Sequence, residues 1–181
     1  MPTPVSVRRA GVSLTLCCTL LVGATACGSD DKDTAAAPSG TSTAEKQKFA
    51  KTRFVANAGL AAGATYQWIV KPYRAGKFKK GANGRTTALV KAGLAGAFTY
   101  NRLKAATKNA QGDPTLSKAV APLTAGIDAL KDLPGKLRKG ESTDSIVNSF
   151  DGAINSVKDA GKSAGAEVKD KVPSTGQLRN G

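Results

Sequence analysis

The sequence predicts an all-α fold, a small antiparallel bundle of about four helices that follows a disordered N-terminal tether. Apolar residues recur at steps of three and four in the C-terminal half, which is the spacing of one helix face. No stretch alternates convincingly between apolar and polar residues, as a half-buried strand would. Segments rich in Pro and Gly separate the periodic stretches, so we expect the helices to be joined by short connections.

The first two helices, 45–70 and 85–109, are predicted from an internal repeat at an offset of 34 residues. The segment 58–66 (AGLAAGATY) aligns with 92–100 (AGLAGAFTY). Small residues lie four apart in both copies, and we expect them to let the two helices pack as a hairpin with closely approaching backbones. These pairs are Ala58/Ala62, Gly59/Gly63, Ala92/Gly96 and Gly93/Ala97.

The third helix, 114–132, is predicted to begin after Asp113, an N-cap residue followed by Pro at the first helical position. Pro122 interrupts its apolar stripe and should kink or split the helix. The pair Pro134-Gly135 is expected to end it. The stripe consists of Leu116, Val120, Leu123, Ile127 and Leu130.

The fourth helix, 142–170, has a stripe that continues at steps of three and four from Phe150 to Val168. Pro173 is expected to close it, and the tail 173–181 is expected to be disordered. The bundle domain is therefore predicted to occupy 45–172. Since only 5% of the residues are aromatic, we expect a core built mainly from small side chains.

The N-terminus has the order of an export signal. Arg8 and Arg9 precede an uncharged, apolar stretch, 10–26, which ends in Ala24-Thr25-Ala26-Cys27. This ending resembles a lipobox, although Ala24 stands where Leu is usual, and the chain resembles a Gram-positive, actinobacterial-type lipoprotein over its first 33 residues or so. No family is recognised for the remainder.

The resemblance implies that the signal peptide 1–26 is removed and that Cys27 carries the acyl chains, of palmitate type. Residues 27–44 would form a flexible, lipid-anchored tether on the outer face of the cell membrane. The alternative is an ordinary secretory signal that leaves Cys27 unmodified. Under either interpretation Cys17 and Cys18 leave with the signal, so the exported domain has no disulfide.

The residue inventory argues against catalysis. The chain contains no His, which removes the commonest general base and the usual metal ligand. The acidic residues of the C-terminal half are scattered, and the Gly-rich segment 81–84 lacks the Lys-Ser/Thr of a phosphate-binding loop. We therefore predict no enzyme activity, no catalytic residue, no metal site and no cofactor.

The charge is concentrated in the first half of the predicted bundle. The net charge is +14, and residues 46–112 contain fourteen cations and no acidic residue. Residues 113–181 contain ten cations and nine acidic residues. Such asymmetry predicts a polyanionic partner for the first half of the domain.

The candidate anion-binding site is the connection between the first two helices, 71–85, where cations and aromatic rings are interleaved. Cations can hold phosphates, while rings can lie at a lipid headgroup boundary or stack on a flat ligand. The alternative is a solvated basic loop whose aromatic residues only cap the core; Tyr66, Trp68 and Tyr100 are expected in the core itself. The candidate residues are Lys71, Arg74, Lys77, Lys79, Lys80, Arg85, Tyr73 and Phe78.

The sequence thus predicts a membrane-anchored, extracytoplasmic, non-enzymatic binding or envelope-interaction module. Its basic hairpin would engage lipid headgroups, a teichoic-type polymer or an acidic protein. The alternatives are a structural hairpin that inserts into the membrane, using the uncharged stretch 54–70, and an accessory or regulator of a cell-wall enzyme. Nucleic acid would fit the charge, but the export signal makes it an unexpected partner.

Overall fold

The computed structural model describes residues 42–180. Helices connected by turns and one extended segment make up these residues, and no strand occurs among them, so the all-α class is confirmed. The predicted signal peptide, the lipidation site at Cys27 and the tether up to residue 41 lie outside the described residues.

The first helix, α1 (Thr43–Thr65), begins two residues before the predicted start at 45 because Ser42 caps it. The Ser42 hydroxyl accepts a hydrogen bond from the Glu45 amide at 3.2 Å, and the Glu45 carboxylate accepts one from the Ser42 amide at 3.0 Å. This reciprocal pair is a capping box. The helix continues through a π-helical turn, Tyr66–Val70, into α2 (Lys71–Arg74), and so passes the predicted end at 70.

Helix α3 (Arg85–Ala110) packs against α1 along the chain's internal repeat. The hydroxyls of Thr65 and Thr99, which occupy equivalent positions in the two copies, share a buried hydrogen bond at 3.1 Å. Farther along, Arg102 Nη1 donates to Asn57 Oδ1 at 3.4 Å. From the first of these pairs to the second, the residue number rises in α3 (99 to 102) and falls in α1 (65 to 57). The two helices therefore run antiparallel.

The role expected for the repeat's glycines was wrong. The atoms nearest to a Cβ built on Gly59 or Gly63 belong to the C-terminal segment, not to α3. A Cβ on Gly59 would lie 2.5 Å from Lys169 O, and the Gly59 carbonyl accepts a hydrogen bond from Lys171 N at 2.8 Å. In the second copy, a Cβ on Gly93 would lie 3.0 Å from Pro134 O. Small residues permit a close approach, but their spacing does not specify which segment approaches.

The predicted third helix is divided in two. Helix α4 (Pro114–Val120) is capped by Asp113, whose carboxylate accepts a hydrogen bond from Leu116 N at 2.8 Å. A 3₁₀ turn, Ala121–Leu123, follows and contains Pro122, which cannot donate to the helical ladder. Helix α5 (Thr124–Asp128) completes the segment, so the helix is split at Pro122 as predicted and ends at 128 instead of the predicted 132.

Helix α6 (Leu133–Lys139) starts where the sequence predicted an end. Pro134 lies in its first turn. Backbone N–H groups in the first turn have no acceptor within the helix, so a proline, which lacks the N–H, loses no hydrogen bond there. The proline therefore begins a new helix at this position.

Helix α7 (Thr143–Ser163) ends seven residues before the predicted boundary at 170. Gly165 adopts a φ of 66°, and Ala166 N donates to Gly161 O at 2.7 Å, which is a Schellman ending. An extended segment, 166–174, then crosses α1, where Lys171 N donates to Gly59 O. The tail that was expected to be disordered contains α8 (Thr175–Asn180), whose Leu178 is buried.

The core lies between α1, α3 and α7, which contribute the fully buried rings of Phe54, Phe98 and Phe150. Most other core positions on α1 and α3 are alanine. From Thr43 to Arg74 the helical run spans 32 residues, or roughly 45 Å at about 1.5 Å per residue. The connection between α2 and α3 therefore lies at the opposite end of this run from the start of the described chain.

Candidate anion-binding site

The basic connection, 75–84, is a succession of hydrogen-bonded turns. Gly76 N donates to Tyr73 O at 2.9 Å, and Lys79 N donates to Gly76 O at 3.2 Å. Gly76, Gly81 and Gly84 have φ values of 69°, 80° and 72°, a backbone region that other residues rarely adopt. These glycines let the connection turn back within ten residues and place its cations on both of its sides.

Two of the predicted site residues hold the connection onto the domain. Phe78 is buried in the core, with its ring centroid 6.3 Å from that of Tyr73. Its carbonyl accepts a hydrogen bond from Arg85 Nε at 2.9 Å, and the Arg85 guanidinium packs against Gly140. For Phe78 the structure matches the alternative in which the aromatic residues cap the core, because its ring belongs to the core cluster and only an edge of the residue remains exposed.

Four of the predicted residues line a cleft of 780 Å³ beside the start of α7, here called the Tyr73 cleft. Asp144 also lines it and raises the pKa of Tyr73. The largest cause is the hydrogen bond that the Asp144 carboxylate accepts from Tyr73; the burial of Tyr73 and the negative charge of Asp144 follow in that order. An acidic group thus lies among the cations on this side of the connection. The lining residues are Tyr73, Arg74, Phe78, Lys79, Ser142, Thr143, Asp144 and Ser145.

Two other predicted cations, Lys71 and Lys77, line a separate cleft of 550 Å³, here called the Trp68 cleft. It lies between the π-helical turn, α2 and the start of α3. Its third cation is Lys91 of α3, and among residues 42–180 no acidic residue is part of its lining. Its apolar part consists of Trp68, Pro72, Ala75 and Ala88, and its neutral remainder of Gln67, Asn83, Gly84 and Thr87.

The Trp68 ring was missed as a site component. It was expected in the core together with Tyr66 and Tyr100, but Tyr66 is 50% exposed, so that expectation was wrong for Tyr66. Trp68 and Tyr100 are partly buried and pack against the core. Lys91 Nζ lies 5.5 Å from the Trp68 ring centroid. One sequence signal could have identified the ring, since Trp68 is the only tryptophan in a chain poor in aromatic residues.

Five of the six predicted cations are exposed, and none of them belongs to an ion pair within residues 42–180. The three ion pairs in that range are Lys51–Asp113, Lys104–Asp128 and Lys158–Asp170, all away from the connection. Asp144 is the one acidic residue that lines a cleft with these cations among residues 42–180, so the connection keeps a net positive charge that a polyanion could neutralise. The five cations are Lys71, Arg74, Lys77, Lys79 and Lys80.

Two features of the described part of the chain bear on other kinds of site. Residues 42–180 contain no group of three or more His, Cys, Asp and Glu side chains placed to hold a metal ion. Within the same range, none of the helices has the length and apolar character needed to cross a bilayer. No known protein family matches the chain, and no curated protein or solved structure is significantly similar to it.

Proposed function

We propose that the chain is a non-enzymatic binding module, held by lipid on Cys27 at the outer face of the cell membrane, whose basic connection binds an anionic envelope partner. The observation that carries this proposal is the set of five exposed, unpaired cations at one end of the α1–α3 hairpin. The small antiparallel bundle would serve as the rigid support for that end.

The position of the connection favours a partner away from the anchoring membrane. The described chain enters α1 at Thr43, and the connection follows Arg74, roughly 45 Å along the helical run. A lipid tether would restrain the Thr43 end, whereas the cations lie at the other end. This separation supports a teichoic-type polymer or an acidic protein, and it supports the headgroups of the same membrane less.

The alternative of a membrane-inserting hairpin has less support. The uncharged stretch 54–70 places Phe54, Ala61 and Ile69 in the core, each with no exposed surface. Insertion would require this core to open and expose Phe150 of α7 as well. The regulator alternative needs a protein partner, which the same experiment can detect.

The proposal is tested with a chain beginning at Gly28, which keeps all of the described residues, 42–180. Its binding to purified teichoic-type polymer, anionic vesicles and zwitterionic vesicles is measured at low and at physiological salt. A loop variant changes the five exposed cations, Lys71, Arg74, Lys77, Lys79 and Lys80, to Gln. A matched control makes the same change of charge at five exposed positions elsewhere, Lys118, Lys131, Lys136, Lys139 and Lys162.

We expect salt-sensitive binding to the polymer that the loop variant loses and the control variant keeps, because a local cluster attracts a polyanion more strongly than dispersed charges do. Equal losses in both variants would mean that only net charge matters, and would overturn the loop as the site. Negligible binding by all three proteins would overturn the polymer partner and leave an acidic protein as the target to seek.

A further inference from the structure

We infer that the Trp68 cleft is a discrete site for a small amphiphilic phosphate, a phosphate monoester with a small apolar group. This site differs from the polyanion surface proposed above, although it shares Lys71 and Lys77 with it. The inference does not depend on polymer binding, and the two can fail separately.

The size and lining of the cleft fit such a ligand. Its volume of 550 Å³ lies within the range of roughly 300–1,000 Å³ that small-molecule sites occupy. Its apolar wall is formed by the Trp68 ring with Pro72, Ala75 and Ala88. A small apolar group could cover this wall and remove it from water, which is the main favourable contribution in most such sites.

The charge of the cleft specifies an anion. Lys71, Lys77 and Lys91 reach it from three successive elements, α2, the connection and α3, and its lining includes no acidic residue. The Tyr73 cleft differs because Asp144 lies there beside Arg74. Three lysines suit a phosphate monoester, which carries about −1.5 to −2 charges near neutral pH, since lysine binds phosphate as a mobile point charge.

The two halves of the site meet at the indole ring. Lys91 Nζ lies 5.5 Å from the Trp68 ring centroid, so a cation lies beside the apolar wall. Gly84, the N-cap of the 26-residue helix α3, lines the cleft and has no side chain to cap the helix, which adds a favourable region for negative charge. A ligand with a phosphate next to its apolar part would contact all of these groups at once.

Two features of Trp68 itself are typical of functional positions. It lies in the middle of the π-helical turn, Tyr66–Val70, and such turns within α-helices occur frequently at functional sites. Its indole N–H is buried and has no hydrogen-bond partner among the described residues. An unpaired buried donor costs about 1–3 kcal/mol, so packing alone would favour a residue without that N–H, such as Phe.

The test uses the fluorescence of Trp68, the only tryptophan in the chain, as a direct reporter of the cleft. The chain beginning at Gly28 is titrated with monomeric octyl phosphate, and separately with inorganic phosphate and with octanol. We expect a saturable change in emission with octyl phosphate at a concentration at least about tenfold lower than with either half-ligand, which corresponds to about 1.4 kcal/mol. A response to octanol alone, or no saturable response, would overturn the inference.

Matched variants locate the site. Changing Lys71, Lys77 and Lys91 to Gln should weaken octyl phosphate binding at least about tenfold. Changing Lys79, Lys80 and Lys118 to Gln removes the same charge outside the cleft and should leave that affinity within about twofold. All six side chains are exposed, so the variants should remain folded, and circular dichroism checks this. Equal weakening in both variants would overturn the cleft as the site.

Measuring polymer binding and octyl phosphate binding by the same chain separates the two proposals. Octyl phosphate binding while no polymer binds would overturn the teichoic-type polymer as the partner and leave the cleft as the site. Polymer binding that persists without any response to octyl phosphate would overturn the cleft alone.

Discussion

The close contact between Gly63 and the C-terminal segment gives the sharpest prediction about stability. A Cβ at Gly63 would overlap the Lys171 carbonyl and lie 2.6 Å from Val172 N. These are backbone atoms, which cannot rotate away as a flexible side chain would. In Gly63→Ala the segment must therefore shift, although Ala is a better helix former than Gly by about 1 kcal/mol.

The magnitude follows from two opposing terms. Overpacking a well-packed site typically costs about 1–3 kcal/mol, and the gain in helix propensity offsets about 1 kcal/mol of that cost. We expect Gly63→Ala to lower the free energy of unfolding by up to about 2 kcal/mol after this offset. The control is Gly152→Ala in α7, where no atom lies within 4 Å of the added Cβ; it should raise that free energy by about 0.5–1 kcal/mol.

Urea unfolding of both variants measures these changes, and hydrogen exchange locates them. The Lys171 amide donates to Gly59 O at 2.8 Å, so it should lose protection in Gly63→Ala and keep it in Gly152→Ala. If Gly63→Ala proved as stable as Gly152→Ala, with Lys171 still protected, the C-terminal segment could not lie across the glycine face of α1.

Three further predictions concern single contacts. Thr99→Val leaves the buried Thr65 hydroxyl without its partner and should cost about 1–3 kcal/mol, whereas changing both threonines to Val should cost less than the two single changes together; thermal unfolding measures this coupling. Arg85→Lys keeps the charge but loses the 2.9 Å hydrogen bond to the loop carbonyl, so stability should fall by about 1 kcal/mol while polymer affinity stays unchanged; a matching fall in affinity would contradict this structural role. Asp144→Asn should lower the pKa of Tyr73 towards its ordinary value, as followed by tyrosinate absorbance against a Tyr73→Phe blank; because the pKa is raised in the folded protein, the stabilising interaction is present at neutral pH and is lost as the pH rises through that pKa, and an unchanged pKa would contradict the contact.

The sequence predicted the helical class because its apolar periodicity indicates one buried helix face. The predicted end of the fourth helix was wrong because an extended segment buries residues at similar positions. From Ala164 to Val168, every second residue is buried and the ones between are exposed, as in an extended strand. In the sequence, however, Gly161, Ala164 and Val168 continue the helical steps of three and four. The positive φ of Gly165 ends the helix and starts the extended segment. A stripe of apolar residues does not reveal that φ value.

The prolines illustrate a second limit of local patterns. Pro122 interrupts a helix, whereas Pro134 lies in the first turn of one. A proline is compatible with the first turn of a helix and incompatible with its interior, so its effect depends on where the helix starts. That start is set by packing, since the carbonyl of Pro134 lies against Gly93 of α3.

The candidate site was predictable as a charged segment but not as a surface. The cations of 71–85 could be read directly, because residues 46–112 contain no acidic residue. Their division between two clefts depends on how the turns at Gly76 and Gly81 direct neighbouring side chains. The contribution of Lys91, which is distant in sequence from the connection, required the antiparallel packing of α1 and α3.

The most direct test of the central claim is to map the residues that respond to a polyanion. An isotope-labelled chain beginning at Gly28 would be titrated with poly(glycerol phosphate) and followed by two-dimensional NMR. We predict that amide shifts concentrate in residues 71–85, with smaller changes at the start of α3. Shifts spread over all basic surfaces, or centred on the opposite end around Lys46, Arg53 and Lys108, would contradict the basic connection as the binding surface.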